Sequence, residues 1–331
     1  MDSPRTLVEA ITFFSDEQVC IDAVAEMRWT NGPKCPECWA EKPYYIKTQK
    51  RWKCRNCRIQ FSVKRGSIFE DSALPLSKWL PVLWLLVNCK NGISSYEVSK
   101  AIGTTQKTAW FMLQRLRLVL KEKNIGTKFG SNDGGEVEVD ESFVGGKLKN
   151  MHRSRANKLN KVKYGTGYET RVKHENKTAV MGILDRESRQ VRAMVIPDVK
   201  RETLQTEILN NVKFGSAVYT DQAVGYDSLK YRYIHDTVNH TVEYVKGRVH
   251  TNGLENFWSL MERNLAGTYV AVEPFHLDRY LDEQMFRFNN RATKKNPLND
   301  ADRFYLALSQ VSNRRLTYAE LTGKAGERAQ A

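Results

Sequence analysis

Long apolar runs are missing from this 331-residue chain. The longest, Trp79 to Val87, already contains Pro81 and falls far short of the roughly 20 residues a bilayer-spanning helix needs, so no membrane partner is expected. The start, Met1-Asp2-Ser3-Pro4-Arg5, lacks the basic and apolar regions of a secretory signal, so the expected place is the reducing cytoplasm. Low-complexity tracts are also absent, and 41% hydrophobic with 27% charged residues argues for a folded chain able to bury a sizeable core. At about 150 residues per domain, the length suggests two or three domains.

Negative charge is the other shortage, with 38 Asp and Glu against 52 Lys and Arg, a net +14. Residues 1–130 hold 21 basic and 12 acidic residues, whereas residues 201–331 hold 17 and 16, so the excess lies toward the N-terminus. A polyanion partner, most often nucleic acid, fits such asymmetry because phosphate contacts release counterions. A merely solvated basic surface is the plain alternative.

Cysteine is scarce, yet four of the six form Cys35-x2-Cys38 and Cys54-x2-Cys57 with fifteen residues between the pairs. That spacing suits one tetrahedral structural zinc held by four thiolates. Tyr44 to Ile46, Arg51 to Lys53 and Phe61 to Val63 read as short strands, which together predict a zinc ribbon over 31–66, after a helical segment over 1–30. Cys20 and Cys89 have no partner spacing and read as small buried hydrophobes. Around the second knuckle, Lys50, Arg51, Lys53, Arg55, Arg58, Lys64 and Arg65 occur with no acid from residue 50 to 69, making Arg55 and Arg58 candidates for DNA phosphates.

Over 75–125 the pattern turns helical. Val98, Ala101 and Ile102 stripe one short helix, and Ala109, Met112, Leu113, Leu116 and Leu120 the next, with Gly103 between them. This reads as a helix-turn-helix in which Thr105 caps the second helix, Gln106 and Lys107 face base edges, and Arg115 lies nearer the DNA backbone. Two packed helices of any helical domain would give a similar pattern. Trp79, Leu80, Leu83, Trp84 and Val87 are assigned to core beneath the pair.

Beyond a Gly-, Asn- and Ser-rich linker over 126–135 the pattern alternates. Glu136 to Phe143, Thr178 to Leu184 and Gln190 to Ile196 read as strands, Arg201 to Val212 as a helix, and Ser216 to Asp221 as a fourth strand. Asp140 and Asp221 then occupy strand positions that can be adjacent, where two carboxylates suit Mg²⁺ with room for a second ion. An acid at a strand end is also commonly just solvated. His250 to Arg263 opens a helix with Leu254, Trp258, Met261 and Leu265 on its apolar face. There Asn252-x-x-Glu255 has the form of a capping box, which would make both residues structural.

The order of these parts resembles DDE-type insertion-sequence transposases with an N-terminal zinc ribbon and a ribonuclease-H-like catalytic domain. The matching text is Val139-Asp140-Glu141-Ser142 with Gly145-Gly146, Tyr219-Thr220-Asp221, His250-Thr251-Asn252 to Glu255-Asn256-Phe257-Trp258-Ser259, Gly267-Thr268-Tyr269, Arg279 to Glu283, and Arg287-Phe288-Asn289. The resemblance implies an α/β multidomain chain: zinc ribbon, helix-turn-helix, then a mixed α/β catalytic domain over 134–292 with a basic insertion over 147–177, followed by a C-terminal tail over 293–331. It implies that Asp140 and Asp221 are metal ligands and that Asn252 or Glu255 supplies the third catalytic position. Glu255 is the favoured carboxylate, with Asn252 as cap or auxiliary ligand. Relatives commonly carry a Lys where this chain has Glu262, beside Arg263, a further DNA-binding candidate. Implied cofactors are structural zinc and two catalytic Mg²⁺ or Mn²⁺ ions. Implied partners are the terminal inverted repeats, target DNA and further copies of the chain in the DNA complex, in association with the nucleoid. A DNA-binding regulator with an inactive third domain, or a nuclease that cuts without joining, would share most of these features.

Overall fold

The computed structural model describes residues 4–121, 127–145, 177–221, 226, 229–238, 249–294 and 296–324. All but the last residue of the expected basic insertion over 147–177 therefore lies outside the described residues. The chain divides into two units, Met1–Glu122 with Asn290–Ala331, and Lys123–Asn289.

In the first unit, helix α1 (Leu7–Phe13) begins at a capping box in which Thr6 and Glu9 exchange bonds, and α2 (Glu17–Arg28) begins at Asp16, whose carboxylate accepts the Gln18 N–H. Strands β1 (Tyr44–Ile46), β2 (Arg51–Lys53) and β3 (Gln60–Phe61) form an antiparallel sheet with Tyr45 opposite Trp52 and Trp52 opposite Phe61. Trp52 is buried between Tyr45 and Phe61, with Trp29 of the α2 end edge-on to it. Strands of two and three residues do not hold together alone. What closes this module is the thiol cluster: the Sγ atoms of Cys35, Cys38, Cys54 and Cys57 all lie within 4.8 Å of one another. The Cys35–Cys57 and Cys38–Cys54 sulfurs are 3.5 Å apart, far beyond a disulfide bond and close to the edge of a tetrahedron around zinc.

Helix α3 (Leu76–Asn88) is apolar on nearly every side, and Trp79, Leu80, Leu83, Trp84 and Val87 are buried with Val82 and Leu86, as expected of a central helix. Its first N–H groups, at Leu76 and Ser77, are capped by the Glu17 carboxylate of α2. Helix α4 (Ser95–Ile102) starts at a Ser94–Glu97 capping box and ends where Gly103 turns at φ +63°. Helix α5 (Gln106–Leu120) is capped by Thr105, which accepts the Thr108 N–H.

The second unit is a five-stranded sheet in the order β6-β5-β4-β7-β8, made of β4 (Glu136–Val144), β5 (Thr178–Asp185), β6 (Gln190–Ile196), β7 (Ala217–Asp221) and β8 (Ile234–Val238). The first three strands are an antiparallel meander; β7 then pairs parallel to β4, and β8 parallel to β7. Between β6 and β7, α6 (Arg201–Asn211) lays Leu204 and Ile208 on one face, against Val137, Val139 and Val218. The opposite face carries α7 (Asn252–Asn264) and α8 (Leu277–Asn289), with Leu254, Phe257, Trp258, Leu277 and Leu281 against Val180, Leu184, Val191 and Ala193. Two glycines let α7 lie directly on the strands. A Cβ on Gly182 would stand 2.6 Å from the Trp258 ring, and one on Gly253 would stand 2.8 Å from Glu138 Oε2.

The C-terminal segment is not the tail that was expected. Helix α9 (Asp300–Leu308) belongs to the first unit, where Phe304 packs between Phe14 and Trp84, each at 5.2 Å, and α10 (Tyr318–Leu321) follows. The apolar spacing of Ala301, Phe304, Ala307 and Leu308 explains the correction, because all four are buried.

Two outcomes follow from this packing. Gly182→Ala should cost about 1–3 kcal/mol, the usual toll of overpacking, in denaturant unfolding, because a ring rather than a flexible chain end blocks the new methyl. An unchanged stability would mean that α7 is not seated this closely. Purified protein should carry about one zinc per chain, and chelation should melt residues 31–66. A metal-free chain with that module still folded would refute the zinc assignment.

Candidate active site

The register of the sheet sets the first part of the site. Strands β4 and β7 run parallel with Glu136 beside Ala217, Val137 beside Val218 and Glu138 beside Tyr219. Two residues further along each strand stand Asp140 and Asp221, and a period of two puts them on the same face as Glu138 and Tyr219, the face that α7 covers. On the other side Asp140 pairs with Gly182 of β5. Because Gly182 has no side chain, Trp258 reaches over it and donates its Nε1–H to Asp140 Oδ2 at 3.1 Å, while Oδ1 accepts the Glu141 N–H at 2.9 Å.

Glu255 lies on the exposed side of the first turn of α7. Its charge and that of Asp221 act on Asp140, whose carboxyl is pushed up to about 6, first by burial and then by these two acids. Glu141 is pushed up to about 8, by burial and then by Asp140 and Asp221, and its Oε1 is buried without a hydrogen-bond partner. Such crowding of acids is costly without a counter-charge, and hard oxygen donors of this kind suit a divalent cation such as Mg²⁺. Among the described residues, the four cysteines are the cluster whose ligand atoms all come within 4.8 Å. Asp221 and Glu255 stand near enough to Asp140 for their charges to raise its carboxyl.

The capping-box alternative for Asn252 and Glu255 does not form. The N-cap of α7 is Thr251, with no side-chain cap, and Asn252 is an exposed first helical residue. The sheet provides the missing acceptor instead: Glu138 Oε2 takes the Leu254 N–H at 3.1 Å. Glu138, only 2% exposed, also accepts from Arg186 Nε at 2.7 Å, and Arg186 Nη2 reaches the His250 carbonyl at 2.6 Å and His250 Nδ1 at 2.8 Å. Sequence reasoning passed over Glu138, Arg186, Gly182 and Gly253. The available signal was faint: Glu138 shares the β4 polar face with Asp140, which made it look solvated.

The residues expected to meet DNA fall into two groups. Arg55 and Arg58 are exposed on the second cysteine knuckle, Lys107 is exposed at the start of α5, and Arg263 is exposed on α7 with its Nε–H on the Ser259 carbonyl. Gln106 is half-buried and donates to Ser95 Oγ at 2.8 Å, and Lys107 Nζ sits 4.8 Å over the Tyr318 ring. Arg115 corrects the sequence reading, because it is buried, donates to the Glu70 carbonyl at 2.6 Å and stacks over Trp79 at 5.2 Å. It shares the inward face of α5 with Met112, Leu116 and Val119, where the Glu70 carbonyl and the Trp79 ring take part of the weakly hydrated guanidinium while its Nε is buried without a hydrogen-bond partner.

With this geometry in view, the similarities to known proteins are informative. Residues 134–289 match the model of the ISXO2-like transposase domain, and residues 15–60 match that of the transposase zinc-ribbon domain. An uncharacterized protein in transposable element ISH50 of Halobacterium salinarum is 26% identical over 280 residues, covering 82% of this chain and 90% of that protein. An uncharacterized transposase-like protein of Haemophilus influenzae is 34% identical over 106 residues, covering 32% of this chain and 85% of that one. A chain of a simian T-cell lymphotropic virus intasome in complex with PP2A regulatory subunit B56 gamma gives a TM-score of 0.26 at 13% identity, over 57% of this chain and 63% of that chain, too slight to bear on the fold. By its zinc-ribbon and transposase-domain matches, and by its transposase-like relatives, the chain belongs to the insertion-sequence transposases that carry an ISXO2-like DDE transposase domain.

Proposed function

We propose that this transposase cleaves and joins DNA at the terminal inverted repeats of its element, with Asp140, Asp221 and Glu255 as the catalytic carboxylates. The observation that carries the reading is that Asp221 and Glu255 both raise the Asp140 carboxyl, Asp140 and Asp221 lying two residues beyond the last paired residues of neighbouring strands and Glu255 on the first turn of the helix packed on that sheet. The strand order β6-β5-β4-β7-β8 supports a ribonuclease-H-like description of this unit. Asp140, Asp221 and Glu255 would hold Mg²⁺ or Mn²⁺, which supplies Lewis-acid stabilisation of the phosphate charge and eases deprotonation of the attacking hydroxyl.

The residues of the chain have separable tasks. Trp258 fixes the orientation of Asp140 by donating to one of its oxygens, and the exposed Asn252 lies one turn before Glu255 as an auxiliary polar group. In cleavage, a water oxygen bonds to phosphorus as the phosphorus–3′-oxygen bond breaks, leaving a 3′-hydroxyl and a 5′-phosphate. In joining, that 3′-hydroxyl bonds to a target phosphorus, and one target phosphodiester bond breaks in exchange. No covalent intermediate with the protein is required. Helices α4 and α5 are read as the helix-turn-helix, with Lys107 and Gln106 toward bases and Arg55 and Arg58 on phosphates; several copies acting together would bring two ends into one complex.

A second reading has one observation in its favour. Glu262 is exposed on α7 where the family resemblance implies a Lys, and seven residues after Glu255 it is rotated only about 20° from it, so it shares that face. A weakened enzyme, or a regulator that binds ends without cutting, would follow from that extra negative charge.

The test is cleavage of duplexes carrying the element's ends in Mg²⁺ or Mn²⁺. Asp140→Ala, Asp221→Ala and Glu255→Gln should each lose several kcal/mol of transition-state stabilisation, roughly a thousandfold in rate, with end binding retained. Glu262→Lys should tighten end binding and raise the rate. Normal cleavage by Glu255→Gln would transfer the third role to Asn252, and a wild-type chain that binds ends but never cuts them would favour the regulator.

A further inference from the structure

The three carboxylates are carried by three separate elements, and one buried ion pair reaches all of them. Glu138 precedes Asp140 by two residues on β4 and, with the Leu254 N–H, holds the residue next to Glu255. Arg186 follows the last residue of β5, which pairs with β4. Its guanidinium donates to Glu138 Oε1, contacts His250 through both the carbonyl and Nδ1, and lies 3.6 Å from Glu136 Oε2. The flat face of that guanidinium covers the Tyr219 ring at 4.5 Å, and Tyr219 stands two residues before Asp221. Tyr219 is tied to the same strand as Glu138, its hydroxyl donating to Glu136 Oε1 at 3.1 Å.

We infer that Glu138, Arg186 and His250 are positioning residues that fix the start of α7 against β4 and β7 and so set the spacing between Asp140, Asp221 and Glu255. This rests on the reading of those carboxylates as the catalytic set. The physical basis is directional. The Leu254 N–H is one of the first backbone donors of α7, which have no acceptor within the helix, so Glu138 both satisfies that donor and places its negative charge at the positive end of the helix. A guanidinium bonded to several acceptors in one plane resists sliding in any direction along that plane, which a single lysine ammonium does not. Glu138 is 2% exposed and Arg186 14% exposed, so water has little access to the Glu138 carboxylate. Gly253 belongs to the same device, because a Cβ there would stand 2.8 Å from Glu138 Oε2 and 2.9 Å from Leu184 Cδ1 and displace the Glu138 carboxylate from its partners.

Removing only one charge of a buried pair strands the other and can unfold the unit, so the decisive variant is the double substitution Glu138→Gln with Arg186→Met. The amide oxygen introduced by Glu138→Gln still offers the Leu254 N–H an acceptor, while the tie to His250 is gone. Three readouts on the full chain apply: amide hydrogen exchange over residues 252–256, Mn²⁺ affinity without DNA, and kcat and KM for cleavage of the ends. Groups that orient ligands usually change affinity or activity by about 10- to 100-fold, so the double variant should bind Mn²⁺ about tenfold more weakly and lose about a hundredfold in kcat. Its KM should stay put, and exchange in the first turn of α7 should quicken. A variant that melts earlier but keeps wild-type exchange, Mn²⁺ affinity and kcat where it is folded would overturn the inference and leave a purely structural ion pair. If the first turn exchanges faster in the variant but wild type and Asp140→Ala bind Mn²⁺ equally weakly, the positioning role stands and the carboxylate assignment fails.

Discussion

The seating of α7 on the sheet is the contact on which the second unit depends. It is permitted by two missing side chains, at Gly182 and Gly253, and secured by two hydrogen bonds to acids of β4, from Trp258 to Asp140 and from Leu254 to Glu138. The apolar part of the contact, Leu254, Phe257, Trp258 and Met261 against Val180 and Leu184, supplies the burial that drives it. The polar part sets where the helix stops. A helix held by apolar packing alone tolerates shifts along the sheet; one pinned at its first turn by a buried carboxylate does not.

That seating also covers Asp140, an acid in a place where burial disfavours its charge, while Glu141 faces the other side of the sheet. Asp140 and Glu141 have carboxyls pushed well above their usual range by burial and by neighbouring acids. A fold that keeps such groups together bears a standing cost, offset locally by the Trp258 and Glu141 N–H donors on Asp140 and, in the proposed function, by a divalent cation. The first unit solves a different problem. Its ribbon strands are too short to pair stably by themselves, and the four thiols bring them together around a point rather than around a core.

Much of this was legible in the sequence because its signals are local. The spacing of Cys35, Cys38, Cys54 and Cys57, the alternation of Val137 and Val139, the Thr105 cap and the strand-ending Asp221 each follow from a few consecutive residues, and the structure has the corresponding elements. What escaped notice depends on contacts distant in sequence. Glu138 is an ordinary polar-face acid until Arg186, 48 residues later, lies against it. Gly182 carries no meaning until Trp258 lies over it. Arg115 was read by its charge, whereas its helical phase with Met112 and Val119 takes it inward. The C-terminal helix was overlooked although Phe304 and Leu308 have the spacing of a buried face, because its partner, α3, lies more than two hundred residues earlier.

The central claim, that strand register and helix seating bring Asp140, Asp221 and Glu255 to one cation site, is most directly tested by anomalous diffraction from crystals equilibrated with Mn²⁺. The expected result is an anomalous peak bracketed by the carboxylates of Asp140, Asp221 and Glu255. Mn²⁺ bound elsewhere, or held with Glu255 turned away to solvent, would contradict it.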